Sequence, residues 1–256
     1  MIDDRKNNSP NTSDRPFKKS PDRTGGERRD RRKVKGPRER GPGNRKKGPH
    51  HGAVKGQSVL RSAEARVEAV DSPAQILDGK FRGKLLLEPE LNGRVPLDHP
   101  DREEIFRLFG RRVKASRFLD LCSGTGMVAI EALSRGAMLA SLVERSAKRC
   151  SQIKKNLDSL GIKEGHAEIF ESETAPFLKR MSQKRRFWDL VFYDPPFDAH
   201  YDDDLRFLRS GAALRPGGIL AIRHHSEMFF PETMGVLRRR AVKELEGRSF
   251  SSYKRA

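Results

Sequence analysis

Two short motifs about 70 residues apart carry the residue types best suited to chemistry. The first is the stretch DLCSGTG at residues 120–126, and the second is the tetrapeptide DPPF at residues 194–197. The first is typical of a strand that turns through glycines into a helix, a geometry that binds nucleotide-like cofactors. The second is typical of a strand end that carries a carboxylate, two stiff prolines and an aromatic ring. Together they predict S-adenosylmethionine on one side of a cleft and a planar, amine-bearing base on the other.

The first motif has the composition of a cofactor-binding loop. Gly124 and Gly126 follow a predicted strand, where a Cβ atom would hold the backbone away from a ligand. Glu144 lies 20 residues after Gly124, at the end of the next predicted strand, from which an acid binds ribose hydroxyls. Asp120 is placed to receive the amino group of a methionine moiety. Ala129 replaces the third glycine of the dinucleotide fingerprint, which favours S-adenosylmethionine over NAD, although solvated strand-end acids would give the same pattern.

The second motif supplies what methylation of an exocyclic amine requires. Such an amine is a poor nucleophile because its lone pair is delocalised into the ring, so catalysis needs acceptors for its two N–H protons. Asp194 offers a carboxylate and Pro195 a backbone carbonyl, which Pro195 and Pro196 orient because proline fixes φ. Phe197 can stack on the base, which contributes roughly 1–3 kcal/mol. An ordinary Asp-Pro turn is the alternative interpretation.

Charge is concentrated at the start of the chain. The 256 residues carry a formal net charge of +18, and residues 1–50 alone hold 17 Lys/Arg and 7 Asp/Glu with almost no large apolar side chain. This composition predicts a disordered basic tail at 1–56 and a single methyltransferase domain at 57–256. The charge predicts a polyanionic partner, nucleic acid before membrane, with a solubilising tail as the alternative.

Cysteine, histidine and apolar residues exclude several classes of protein. The two cysteines, Cys122 and Cys150, have the spacing of neither a disulfide framework nor a zinc site, and the seven histidines form no metal pattern. No run of 18 apolar residues predicts a membrane span, and the N-terminus has no apolar signal region. The sequence therefore predicts a cytoplasmic protein without a metal.

Alternating strand and helix patterns from residue 116 onward predict a doubly wound, Rossmann-like α/β sheet. Predicted strands occupy 117–121, 140–143, 166–170, 188–193 and 219–223, and predicted helices 101–109, 127–135, 146–160, 174–181 and 202–213, the last ended by Pro-Gly-Gly at 216–218. Residues 74–87 are expected to form a hairpin with Asp78-Gly79 as a type I′ turn, and 235–256 an antiparallel edge pair. Residues 58–70 fit a short helix or a strand equally well.

These motifs resemble the RsmD family, bacterial methyltransferases that modify the exocyclic N2 of one guanine in 16S ribosomal RNA. The resemblance covers about residues 74–254 and is carried by the segments 79–85, 118–137, 143–145 and 189–197, together with Arg102, Glu103 and Phe106. It implies cofactor contacts at Asp120, Gly124, Gly126 and Glu144, with Glu173 near the adenine amine, and a catalytic role for Asp194 within Asp194, Pro195, Pro196 and Phe197.

The chain also departs from the family. His99 and Pro100 occupy the places of an Asp-Arg pair, Arg223 replaces an acid on the fifth strand, and Glu173 stands for a shorter aspartate. The basic tail is an addition. These departures bear on which nucleotide is the target more than on the chemistry of methyl transfer.

Several functions stay open at this point. The leading prediction is a monomeric guanine-N2 methyltransferase acting on an assembling small ribosomal subunit. A DNA or RNA adenine-N6 methyltransferase uses the same type of tetrapeptide. A protein-glutamine methyltransferase fits the tetrapeptide, but such an enzyme gives no reason for a net charge of +18. A noncatalytic RNA-binding assembly factor belongs to another class, and the intact Asp194 and Glu144 argue against it. Asp120 disfavours an NAD-dependent dehydrogenase.

Overall fold

A computed structural model describes residues 72–87, 97–198 and 201–256 of the chain. The predicted tail at 1–56, the boundary at 56 and the segment 58–70 lie outside the described residues, so these predictions stay untested. Within the described ranges, no helix combines the length and the apolar character needed to cross a membrane.

The described strands form one mixed sheet. Its eight strands are β1 (Arg117–Leu121), β2 (Leu139–Glu144), β3 (Ala167–Glu171), β4 (Trp188–Tyr193), β5 (Leu214–His225), β6 (Thr233–Met234), β7 (Leu237–Leu245) and β8 (Arg248–Arg255). Their order across the described sheet is β3-β2-β1-β4-β5-β8-β7-β6. The first five strands of this order are parallel, and β8 joins β5 antiparallel. The strand order therefore reverses between β1 and β4, which creates the switch point where ligands bind in such sheets.

Five α-helices connect or flank the strands of the described sheet. They are α1 (His99–Phe109), α2 (Met127–Ser134), α3 (Ala147–Ser159), α4 (Thr174–Gln183) and α5 (Asp202–Arg209). Asp98 begins α1 by accepting the N–H of Asp101 at 2.8 Å, and Ser146 begins α3 by accepting the N–H of Arg149 at 3.4 Å. The predicted N-cap at Ser146 and the doubly wound fold are confirmed.

Helices cover both faces of the sheet because the central strands are apolar on both sides. Helices α4 and α5 bury Phe177 and Leu208 with Trp188 of β4 on one face. On the other face, α1 and α2 pack Phe106 and Val128 against the sheet, and α3 adds its own apolar stripe. Strands β1 and β4 have the bounds that the sequence predicts, since a strand buried on both faces is marked by a mostly apolar run.

The segment 72–87 contains the predicted hairpin but not the predicted turn. Gln75 and Leu85 form an isolated antiparallel bridge, and the Gly83 N–H donates to the Ile76 carbonyl at 2.8 Å. Gly79 has a φ of 86°, but Asp78 does not adopt the positive φ that a type I′ turn also requires there. The type I′ assignment was wrong because this loop closes on α2 instead: the Lys80 N–H donates to the Ser134 carbonyl at 2.8 Å.

Two predictions about the end of α5 were also wrong. Helix α5 ends at Arg209 instead of 213, because Gly211 adopts a φ of 81° and Ala213 a φ of 64°, which break the helix. The Pro-Gly-Gly at 216–218 does not end that helix but lies inside the long strand β5, at a register irregularity against β4. The antiparallel pair predicted at 235–256 is confirmed as β7 and β8, which extend the described sheet beyond β5, and the short β6 follows them at that edge.

Candidate active site

A cleft of about 460 Å³ lies at the carboxyl edge of the sheet, and we call it the carboxyl-edge cleft. Four of the predicted site residues line it: Glu144, Glu173, Pro195 and Pro196. The other residues that line it are Cys122, Val143, Arg145, Ser172, Thr174, Ala175, Pro176, Asp203 and Asp204. The two predicted motifs therefore meet at one edge of the sheet, on either side of the switch point between β1 and β4.

The glycine loop after β1 is held in left-handed backbone conformations. Cys122, Gly124 and Gly126 have φ values of 66°, 58° and 81°. A Cβ atom built on Gly124 would meet nothing within 4 Å, whereas one on Gly126 would lie 2.9 Å from Leu142 Cδ2. Gly124 thus presents open backbone, as a ligand-binding turn requires, while Gly126 lets the start of α2 pack closely against the sheet.

Glu144 ends β2 and is tied to the glycine loop. Its side chain is buried, its Oε2 accepts the Gly124 N–H at 3.0 Å, and its Oε1 accepts the Ser146 N–H at 2.9 Å. Each carboxylate oxygen retains a second lone pair. Because Glu144 also lines the carboxyl-edge cleft, its carboxylate is placed to accept hydroxyl hydrogen bonds from a ligand.

Asp120 is buried beneath this loop, with 2% of its surface exposed. Its Oδ2 accepts the Ala129 N–H at 3.2 Å. Burial raises the pKa of the Asp120 carboxyl well above its usual range, the charges of Asp194 and Glu144 raise it further, and the Ala129 hydrogen bond partly offsets them. No ion pair within the described ranges involves Asp120. A buried carboxylate in this state fits a cationic ligand group such as the ammonium of a methionine moiety.

Asp194 follows β4 directly, and its backbone N–H donates to the Leu121 carbonyl at 3.2 Å. This bond ties the tetrapeptide to the end of β1. The Asp194 side chain is 16% exposed, and its Oδ1 accepts from Arg223 Nη1 at 3.3 Å. The Tyr201 hydroxyl donates to the Pro196 carbonyl at 3.4 Å, and Pro195 is buried. The carboxylate is therefore held at a fixed place while remaining accessible.

The ring of Phe197 lies between two side chains of β5. The His225 ring meets it edge-on at 5.8 Å between centroids, and the Arg223 guanidinium carbon lies 5.2 Å from its centroid. Phe197 is half-buried, so one part of its ring remains available to a planar partner.

Glu173 lies just before α4 and is well exposed. Its carboxylate pairs with Arg145 at 3.6 Å, and both side chains are about two thirds exposed, at 64% and 63%. Such a pair is weak in water and opens easily for a ligand. Glu173 borders the carboxyl-edge cleft, and its role near an adenine amine stays a prediction.

Two further groups were not identified from sequence as parts of the site. The Tyr193 hydroxyl donates to Asp204 Oδ2 at 2.5 Å, and burial raises the pKa of the Asp204 carboxyl. In the sequence, Asp204 is one of three acids in the first turn of a helix, which hides its inward direction. Arg223 was noticed only as a departure from the family, and its contact with Asp194 requires the sheet to be assembled.

The chain is similar to known proteins that are named as RNA methyltransferases. The chain is 32% identical over 127 residues to the ribosomal RNA small subunit methyltransferase D of Buchnera aphidicola; the match spans 50% of this chain and 64% of that protein, less than two thirds of its length. It is 27% identical over 164 residues to the putative rRNA methyltransferase YlbH of Bacillus subtilis, covering 64% of this chain and 89% of that protein.

A solved structure and a family model extend the match. The putative methyltransferase yhhF of Escherichia coli is 26% identical, with a TM-score of 0.63, and the alignment covers 71% of this chain and 97% of that one. The family model described as conserved hypothetical protein 95 matches residues 74–254. This chain therefore belongs to the conserved hypothetical protein 95 family, which is the RsmD family that its motifs resemble.

Proposed function

We propose that this chain transfers a methyl group from S-adenosylmethionine to the exocyclic N2 amine of a guanine in small-subunit ribosomal RNA. One observation supports it most strongly. Asp194, at the end of β4, hydrogen-bonds through its backbone to the end of β1, the strand that leads into the glycine loop. An acceptor for a base amine and a binding loop for a cofactor thereby lie on adjacent strands at the switch point.

The residues around the glycine loop have the chemistry to hold the cofactor. Glu144 accepts hydrogen bonds from the ribose hydroxyls, the open backbone at Gly124 allows close approach, and the Asp120 carboxylate receives the amino group. Glu173 accepts from the adenine amine. When bound, S-adenosylmethionine supplies an electrophilic methyl group on a sulfonium centre.

The tetrapeptide 194–197 prepares the amine. Asp194 accepts one N–H of the base through the carboxylate oxygen that is not bonded to Arg223 Nη1. The Pro195 carbonyl accepts the other N–H, so the nitrogen lone pair becomes available for attack. Phe197 stacks on the base and excludes water from one side of it. The target base must leave its own stack to reach this position.

The choice of RNA substrate rests on family and charge. The name of the Buchnera relative says that it methylates small-subunit ribosomal RNA, and the net charge of +18 suits a polyanion. We further propose that the protein acts in the cytoplasm as a monomer on the assembling subunit, because a single copy suffices to dock on a large RNA particle.

Methyl transfer to small ribosomal subunits from cells that lack the protein tests this function. We expect N2-methylguanosine with the wild type, found by mass spectrometry of nucleosides, and none with Asp194→Ala. Asp158→Ala is the matched control, since it removes an exposed carboxylate on α3, outside the candidate site, and should retain the activity. Each variant should still bind S-adenosylhomocysteine, which shows that it is folded.

Two other results would change the assignment. Formation of N6-methyladenosine would keep the mechanism but replace guanine with adenine as the target. Absence of transfer to subunits and to free RNA, despite bound cofactor, would favour a noncatalytic assembly factor.

A further inference from the structure

A line of alternating charges connects the start of α1 with the catalytic tetrapeptide. Arg248 bonds Asp98 Oδ2 through Nη2 at 2.7 Å and Asp101 Oδ1 through Nε at 2.6 Å. Arg223 bonds the other oxygen of Asp101 at 3.4 Å and then Asp194 Oδ1 at 3.3 Å. The line therefore runs Asp98, Arg248, Asp101, Arg223, Asp194, and its last member directly precedes Pro195 and Pro196, which line the carboxyl-edge cleft.

The middle of this line is deeply buried. The Asp101 side chain is 0% exposed and that of Arg223 is 3% exposed. Burial raises the pKa of the Asp101 carboxyl, while the hydrogen bond from Arg248 and the charge of Arg223 lower it. Buried charges are tolerated only when they are paired, and removing one partner leaves the other uncompensated. The position of Arg223 is thus set by Asp101, not by solvent.

Arg223 contacts both functional groups of the tetrapeptide. One Nη atom bonds the Asp194 carboxylate, and the guanidinium carbon lies 5.2 Å from the centroid of the Phe197 ring. A planar guanidinium can donate hydrogen bonds through separate nitrogen atoms while its flat face packs on an aromatic ring. A lysine ammonium group has no flat face and cannot make both kinds of contact at once. The resemblance leads us to expect an acid at this place in β5, so this contact is particular to a chain with arginine here.

We propose that Arg223 is a positioning residue that keeps the Asp194 carboxylate ionised and aimed into the cleft and sets the angle of the Phe197 ring. The proposal rests on the proposed function of Asp194. The physical reason for this role is that several acidic side chains lie close together at this edge of the sheet. Asp120 and Glu144 lie close enough to act electrostatically on one another, and the charge of Asp194 acts on Asp120. A protonated Asp194 would no longer accept from a base amine with full strength.

Several titratable or charged groups surround Asp194, and each is relevant to a pH profile. They are Asp120 on β1, Cys122 in the glycine loop, Asp198 after the tetrapeptide, Tyr201 before α5, Arg223 and His225 on β5, and Asp101 on α1 behind Arg223. The acids among them carry the same sign of charge as Asp194 when ionised, and Arg223 carries the opposite sign.

The decisive experiment is the pH dependence of kcat for methyl transfer, measured for the wild type, Arg223→Met and Arg223→Lys. For Arg223→Met we expect kcat near pH 7 to fall by about tenfold to a hundredfold. We also expect the acid limb of its pH profile to move up by about one pH unit or more, because an adjacent guanidinium lowers the pKa of a carboxyl by about that amount. The lysine variant should recover the acid limb but only part of kcat, and KM for the methyl donor should change little in both.

Arg248→Met is the matched control. This substitution removes the ion pair between Arg248 and Asp101, which does not involve Asp194. It should therefore lower the free energy of unfolding without moving the acid limb of the pH profile. If Arg223→Met does not fold, Asp101→Asn is added to it, which removes the uncompensated buried charge and still leaves Asp194 without its guanidinium. An acid limb that is unchanged in the folded variant, or moved equally by Arg248→Met, would overturn the proposal.

The failure of this proposal can be told apart from failure of the proposed function. A wild type that transfers no methyl group contradicts the function directly. Titration of the Asp194 carboxyl carbon by NMR, assigned with Asp194→Asn, then measures the effect of Arg223→Met without any catalysis. A midpoint that moves upward supports the positioning role, and a midpoint that stays in place refutes it.

Discussion

Replacement of Asp120 by asparagine should weaken cofactor binding and stabilise the ligand-free protein at the same time. The side chain is buried, its pKa is raised, and no ion pair in the described ranges neutralises it. Asparagine has nearly the same shape and its Oδ1 can still accept the Ala129 N–H. The variant therefore removes the charge and little else.

The expected magnitudes follow from the contacts. A hydrogen bond between charged groups contributes about 1.5–3 kcal/mol, so at a pH above the raised pKa of Asp120 the variant should bind the amino-acid end of the ligand about tenfold to a hundredfold less tightly. Without ligand, removal of a buried uncompensated carboxylate should raise the free energy of unfolding by about 1–3 kcal/mol. For a chain of this size, each kcal/mol raises Tm by roughly 2–4 °C.

The pH dependence has a definite sign. Because folding raises the pKa of Asp120, the folded protein holds a proton that the unfolded chain loses, and wild-type stability falls as pH rises from the ordinary aspartate pKa of 3.8 through the raised pKa. A cationic ligand displaces that proton, so wild-type affinity should rise with pH over the same range. Asp120→Asn should show neither trend.

Isothermal titration with S-adenosylhomocysteine at several pH values measures these effects. Each titration is made in two buffers of different ionisation enthalpy, which reveals the released proton. Asp158→Asn, an exposed carboxyl on α3, serves as the control. Equal affinity of Asp120→Asn and wild type at every pH would refute the assignment of Asp120 to the ligand amine.

Two more predictions concern the loop and the tail. Gly124→Ala and Gly126→Ala share the strain of a positive φ, about 1–2 kcal/mol, but only the second forces a Cβ to 2.9 Å from Leu142, which adds about 1–3 kcal/mol. Urea denaturation should therefore find Gly126→Ala clearly less stable, and equal losses would contradict this. A chain that begins near residue 56 lacks the segment with a net charge of +10, so its RNA affinity should depend less steeply on salt. An unchanged slope in filter binding would show that the tail does not contact RNA.

Much of this fold could be predicted because local patterns encode it. Strand Trp188–Tyr193 is apolar except for Asp189, and the Ser146 side chain indicates a helix start because it can accept a hydrogen bond from the first turn. Where prediction was wrong, distant parts of the chain decided the outcome. The loop at Asp78 closes on Ser134 of α2 instead of on itself, and just beyond the end of α5 the Gly211 carbonyl accepts from Arg255, which is 44 residues away.

The candidate site, like the fold, could be predicted from sequence only in part. The residue types of its two motifs, and their places at strand ends, follow from sequence spacing. The partner of Asp194 does not, because Arg223 is 29 residues away and is itself held by Asp101, which is 122 residues distant. In sequence Arg223 is simply a basic residue in a strand, and its role becomes visible only when β4, β5 and α1 are packed together.

Three carboxylates at this edge of the sheet are compensated in three ways, and the difference indicates their roles. Glu144 is held by two backbone N–H groups and by a longer ion pair with Arg149 at 3.9 Å, which suits a residue that must keep a fixed position while offering lone pairs to hydroxyls. Asp194 is held by a guanidinium, which suits a residue that must stay ionised next to a neutral amine. Asp120 has one backbone hydrogen bond and no ion pair in the described part of the chain. Its charge is therefore left for a cationic ligand to complete, which is why its replacement should stabilise the empty protein and weaken the complex.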